Sequence, residues 1–159
     1  GFVSVAEGTY EWTVDEPGGI VAFTTDTGTN DNACLMAGTF KPADGGMTME
    51  GRFKFNSATL GAVFFGITET LALDTPVMPA EFSGTAMTYN GTGGMVGFSL
   101  DPDGTTDDFR AVAGDAGAAT GATRAGDTVT NGIRANETIT ADEWYIARVE
   151  VHPDGNAHL

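Results

Sequence analysis

The chain has 159 residues and a formal charge of −15 at neutral pH, from 22 acidic against 7 basic side chains. So acidic a surface repels phosphate backbones and anionic headgroups, which argues against nucleic acid and membrane surfaces as partners, and no apolar run reaches the roughly 18 residues of a membrane-spanning helix. Hydrophobic residues at 41% separate it from an acidic disordered tail, and the length suits one domain.

Glycine and threonine each number 23, a balance that favours strands joined by tight turns. In chain order, strands are predicted over residues 10–14, 20–25, 33–36, 47–55, 62–67, 95–100, 109–113, 129–133 and 144–151. The segment from Met47 to Phe55 alternates apolar or glycine positions with Thr48, Glu50, Arg52 and Lys54, the pattern of a strand with one buried and one charged face. Ala62-Val63-Phe64-Phe65-Gly66-Ile67 is apolar on both faces and is therefore expected in the middle of a sheet. From Trp144 to Val151 the period is again two, with Tyr145, Ala147, Val149 and Val151 on one side. Pro17-Gly18-Gly19, Asp44-Gly45-Gly46, Gly91-Thr92-Gly93-Gly94 and Pro102-Asp103-Gly104 mark turns between strands. No stretch carries an amphipathic helix of three turns. Strands at this spacing predict an all-β fold, a sandwich or barrel of antiparallel sheets. Trp12, Phe23, Phe53, Phe65, Phe98, Val149 and Val151 are the expected core, with Trp144 in the core or at an interface.

Cys34 stands alone, which leaves no internal disulfide and no cysteine cluster for a metal. Near the end, Pro153-Asp154-Gly155-Asn156 is a turn signal with only Ala157-His158-Leu159 after it. A returning strand longer than this is expected, so the domain is read as part of a longer polypeptide.

The order of several blocks resembles a known family. Pro17-Gly18-Gly19-Ile20-Val21-Ala22-Phe23-Thr24-Thr25-Asp26 is followed by Asn30-Asp31-Asn32-Ala33, then by Glu50-Gly51-Arg52-Phe53-Lys54-Phe55. Val63-Phe64-Phe65-Gly66-Ile67-Thr68-Glu69, Gly94-Met95-Val96-Gly97-Phe98 and Trp144-Tyr145-Ile146-Ala147-Arg148-Val149-Glu150-Val151 complete the series. Together they resemble the concanavalin A-like jelly-roll domains of structural proteins in tailed bacteriophages. The resemblance implies a two-sheet antiparallel β-sandwich, exposed on the virion surface as a capsid decoration, head fibre or other particle component. The implied partners are other virion proteins of capsid or tail, with a homo-oligomeric or lattice-bound state. A lectin-like module on a tail or fibre, recognising host glycans, is the alternative.

The fold alone does not decide function, because lectins and glucanases share it. Glucanases of this fold carry paired carboxylates on one strand in a Glu-x-Asp-x-x-Glu arrangement, which this chain lacks. Glu69, Glu143 and Glu150 are read as solvated surface acids. His152 and His158 lie at the end of the chain with no Gly-x-Ser-x-Gly elbow to serve, and the reading is non-enzymatic. Asp101, Asp103 and Asp107, in a Gly-turned loop, are the candidate Ca²⁺ ligands, since Ca²⁺ takes six to eight oxygens. The loop lacks the EF-hand spacing, and a hairpin turn with solvated acids accounts for it equally well. No other cofactor is expected. Tyr89 and Phe109 are candidates for an exposed sugar platform, with partial burial the favoured reading. Trp144 is the candidate interface residue.

Overall fold

A computed structural model describes residues 2–5, 8–12, 20–25, 33–36, 41–57, 61–69, 78–83, 86–90, 93–104, 108–114 and 133–159. Most of those residues are in strands. The chain divides into two compact units, Gly1–Thr39 with Leu71–Val77, and Phe40–Thr70 with Met78–Leu159.

In the first unit, β1 (Phe2–Val5) runs antiparallel to β4 (Ala33–Met36), with Phe2 opposite Met36. β2 (Gly8–Trp12) runs antiparallel to β3 (Val21–Thr25), with Tyr10 opposite Phe23. Phe23, expected in the core, is 42% exposed. Val21, Ala22 and Phe23 are apolar in succession, so period-two patterning does not say which of them faces inward. The side chain of Trp12 lies outside the described residues.

The second unit opens with a 3₁₀ turn at Pro42–Asp44, the one helical element among the described residues. Its strands are β5 (Met47–Phe53), β6 (Val63–Thr68), β7 (Ala80–Ser83), β8 (Ala86–Tyr89), β9 (Met95–Leu100), β10 (Asp108–Gly114), β11 (Ile133–Thr138), β12 (Tyr145–Val151) and β13 (Ala157–His158). They form an antiparallel four-stranded sheet in the order β11-β10-β9-β6, a three-stranded sheet in the order β13-β12-β5, and the hairpin β7-β8.

The inner face of the β5–β12 sheet packs on one face of the four-stranded sheet through aromatic rings. Phe53 stands 5.7 Å from Phe65 and 5.2 Å from Phe109, and Phe55 lies 5.8 Å from Phe109, measured between centroids. These are the spacings of attractive offset and tilted ring pairs. Leu100, Phe109 and Ile139 are buried in this layer. Gly51 of β5 makes the close approach possible, because a Cβ there would sit 2.5 Å from Cε2 of Phe65. A second cluster of Ala80, Phe82, Tyr89, Met95 and Val112, with Phe64 packed against it, lies where the β7–β8 hairpin meets β9 and β10. Ser99 Oγ donates to the Ala80 carbonyl at 3.0 Å, and the Arg110 guanidinium sits 4.5 Å above the Phe82 ring.

β6, expected in the middle of a sheet, is instead the outermost described strand of its ladder. Its two-sided apolarity has another cause. Phe65 meets Gly51 and Phe53 on one face, while Phe64 joins the β7–β8 cluster on the other. Layers above and below a strand make both its faces apolar, whatever its rank in the ladder. Of the predicted strand over 129–133 only Ile133 lies within the described residues, where it opens β11; the strand continues to Thr138, beyond the predicted end. After the turn at Pro153-Asp154-Gly155-Asn156 the returning strand is present as β13, with Ala157 opposite Val151 and His158 opposite Glu150.

Candidate functional site

Alternation along β12 buries Ala147, Val149 and Val151 and turns Ile146, Arg148 and, in part, Glu150 outward. β5 lies beside it with Ile146 opposite Arg52, Arg148 opposite Glu50, and Glu150 opposite Thr48. Just before β12 the chain is held by a tight turn. The Asp142 N–H donates to the Phe55 carbonyl at 2.7 Å, and the Thr140 N–H donates to the Tyr145 hydroxyl at 2.7 Å. Asp142 itself takes φ 63°, a left-handed geometry that Asp tolerates better than most residues. This turn sets Trp144 on the outer face beside Lys54.

Trp144 is 38% exposed and Ile146 is 70% exposed. The Arg52 guanidinium lies 4.2 Å from the Trp144 ring centroid and the Lys54 ammonium 5.4 Å from it. An exposed cation over an indole face gains about 0.5–1 kcal/mol, enough to order the side chains without hiding them. Further along the strands, Arg148 bonds Glu150 and lies 3.8 Å from Glu50. The bond to Glu150, and then its charge, raises the Arg148 pKa; the same bond holds the Glu150 carboxyl below its usual range. Three of the chain's seven cations therefore stand on one sheet face of a protein of net charge −15.

The other candidates fall elsewhere. Asp101 is buried, and its carboxylate accepts the Phe82 N–H at 2.7 Å and the Asp103 N–H at 3.0 Å. Asp103 is an exposed residue of the same turn, which the Gly104 N–H closes on the Asp101 carbonyl at 3.0 Å. Asp107 lies outside the described residues. Among the described residues no three His, Cys, Asp or Glu side chains gather as a metal requires. Tyr89 and Phe109 are both buried, so neither offers a ring to a sugar. Glu69 accepts the Gly94 N–H at 3.0 Å, and Glu143 accepts the Tyr145 hydroxyl at 3.4 Å. The His152 and His158 rings lie edge to face with centroids 5.0 Å apart, beside a shallow open depression lined by Gly46, Thr48, Glu150 and Pro153.

Glu50, Arg52, Lys54, Ile146 and Arg148 are members of this face that the sequence reading did not single out as site residues. The signal was present in the charged outer positions of residues 47–55, but the register that sets them against Trp144 is a property of the folded sheet. Comparison of the chain with protein-family models, curated proteins and solved structures returns no match.

Proposed function

We propose that this chain is a non-enzymatic structural protein of a tailed-bacteriophage particle, displayed on the virion surface as a capsid decoration, head fibre or similar component and built on a concanavalin A-like jelly-roll sandwich. The order of sequence blocks supports this reading, and one observation carries it. The outer face of β5 and β12 exposes a tryptophan and an isoleucine among cations, while the inner faces of the same strands are sealed by aromatic packing. Exposed Trp and Arg on a rigid sheet are the residue types that anchor protein interfaces. The domain then acts by occupying a place on the particle, docked on a capsid or tail protein.

Trp144→Ala tests this. Anchor truncations commonly cost about 2 kcal/mol or more, close to a 30-fold loss of affinity. Quantitative mass spectrometry of purified virions should show the wild-type chain as a stoichiometric component and the variant depleted, with folding checked by circular dichroism. Absence of the wild-type chain from virions, or sugar release by the isolated domain from a polysaccharide panel, overturns the proposal.

The same indole favours a second reading, a lectin-like module. A ring flanked by Arg52 and Lys54 suits stacking under a sugar that carries an acidic group. Binding of a host glycan by the wild type and not by Trp144→Ala would select it.

A further inference from the structure

The outer face of β5 and β12 is graded in charge along the strands. Its four cross-strand rows are Trp144 with Lys54, Ile146 with Arg52, Arg148 with Glu50, and Glu150 with Thr48. The first two rows carry only cations and apolar groups. The third holds an Arg–Glu pair, and the fourth ends on a carboxylate. Among the described residues Arg52 and Lys54 have the indole as their partner and no carboxylate, while both glutamates crowd the single guanidinium of Arg148.

We infer that this face pairs with the same face of a second copy of the chain, related by a two-fold axis that lies in the plane of contact, across the strands, between the second and third rows. That operation reverses the order of rows and keeps each strand over itself. Arg52 then meets Glu50 of the second copy, Lys54 comes within reach of the second copy's Glu150, and Trp144 lies over the Glu150 end. Ile146 meets the aliphatic stem of Arg148 from the other copy. Every contact occurs twice, as an isologous interface demands. The gradient that leaves one end of the face cationic thus becomes complementary to itself, which is how charge fixes register between partners. A uniformly cationic face would repel its own copy.

The size of the face sets the strength. Six residue steps span about 20 Å and three strands about 10 Å between the outer two, below the roughly 800 Å² per partner of a standard stable interface. The dimer is therefore of the weak class, half-formed at concentrations of roughly 10⁻⁵–10⁻⁴ M, and strengthened wherever many copies are held together.

This inference takes from the proposed function only that the β5–β12 face is an interface; it does not depend on the particle. Sedimentation equilibrium of the purified chain from about 10 μM to 1 mM in 0.15 M salt, a range bracketing that affinity, should show the weight-average mass rising toward twice the monomer. Arg52→Glu with Lys54→Glu leaves four acids against Arg148 on the face, and Glu50→Lys with Glu150→Lys makes it uniformly basic. Each double variant alone should associate at least tenfold more weakly than the wild type, and an equimolar mixture should recover a dimer. Ile146→Ser, a single change at the most exposed large hydrophobic residue described, should weaken pairing without reversing any charge. A wild-type chain that stays monomeric throughout, double variants that dimerise undiminished, or a mixture that fails to recover pairing each overturns the inference. A monomeric wild type whose Trp144→Ala variant still loses its place on virions would leave the particle reading standing and remove this one.

Discussion

Both carboxylate oxygens of Asp101 accept backbone N–H groups, one from Phe82 and one from Asp103. The Phe82 bond is buried and joins the end of β9 to the β7–β8 hairpin, so the acid ties two elements together as well as closing a turn. Asp101→Ala should cost about 1–3 kcal/mol, the desolvation penalty of a buried donor left without a partner. Chemical denaturation with a chelator, repeated in millimolar Ca²⁺, separates the two roles this residue has been given. A loss of equal size in both conditions marks a fold tether; a loss confined to the Ca²⁺ arm marks a metal ligand. Gly51 is a second single residue on which packing turns. Gly51→Val should destabilise by about 1–3 kcal/mol, the usual penalty for overpacking, because the new side chain must displace the Phe65 ring; an unchanged thermal midpoint would show that the layers can part. The turn at Pro102-Asp103-Gly104 was legible in the sequence, as was the inward face of residues 47–55. That Asp101 reaches a backbone nitrogen nineteen residues upstream was not, since sheet packing alone brings the two together.

β5 and β12 were legible because each repeats its two-residue period over seven positions, and β9 and β10 because turn signals set them apart from their neighbours. β7 and β8 were missed, although Ala80 and Phe82 alternate with exposed Glu81 and Ser83. Four residues are too few for the period to stand out from chance. The β12–β13 hairpin shows how local polar chemistry completes such a short element. Asp154 accepts both the Asn156 N–H at 3.0 Å and the Asn156 side-chain amide at 2.8 Å, and these bonds hold its pKa below the ordinary 3.8. Glu150, at the ladder end opposite His158, is held below 4.5 first by its bond to Arg148 and then by that charge. A carboxyl whose folded pKa is depressed contributes stability above its unfolded value and loses it as pH falls through the folded one. The hairpin is therefore expected to be fully held at neutral pH and to loosen only in the acid range below those ordinary values. Carbon-detected NMR titration should place both midpoints beneath 4.5 and 3.8 respectively, with protection of the β13 amides fading over the same interval. Arg148→Ala should return the Glu150 midpoint toward 4.5; a midpoint indifferent to that change would remove Arg148 as the cause.

At the scale of the whole molecule the all-β class was legible, because turn-forming glycines and alternating strands recur along the chain. The division into two compact units was not, because Leu71–Val77 belongs with Gly1–Thr39 although the chain between them belongs to the other unit. No linker composition announces such a return. What the sequence does state plainly is the charge, and from it a last prediction follows. With 22 acids against 7 bases, most carboxylates have no cation to pair with, so compaction brings like charges together and costs free energy. Salt screens that repulsion, and it also screens the ion pairs of Arg148, which are exposed and worth little to begin with. Repulsion should dominate, and the folded state should gain stability as the screening length falls from about 30 Å at 0.01 M to about 8 Å at 0.15 M salt. A gain of about 1 kcal/mol corresponds to a rise of roughly 2–4 °C in the thermal midpoint of a domain this size. Keeping salt below 0.2 M separates screening from the general strengthening of apolar burial at high salt. Repeating the series near pH 4.1, the isoelectric point expected from composition, should abolish most of the effect, because little net charge is left to screen. A midpoint that falls as salt is added at neutral pH would mean that specific ion pairs outweigh the net charge, and that the acidic surface is organised rather than merely abundant.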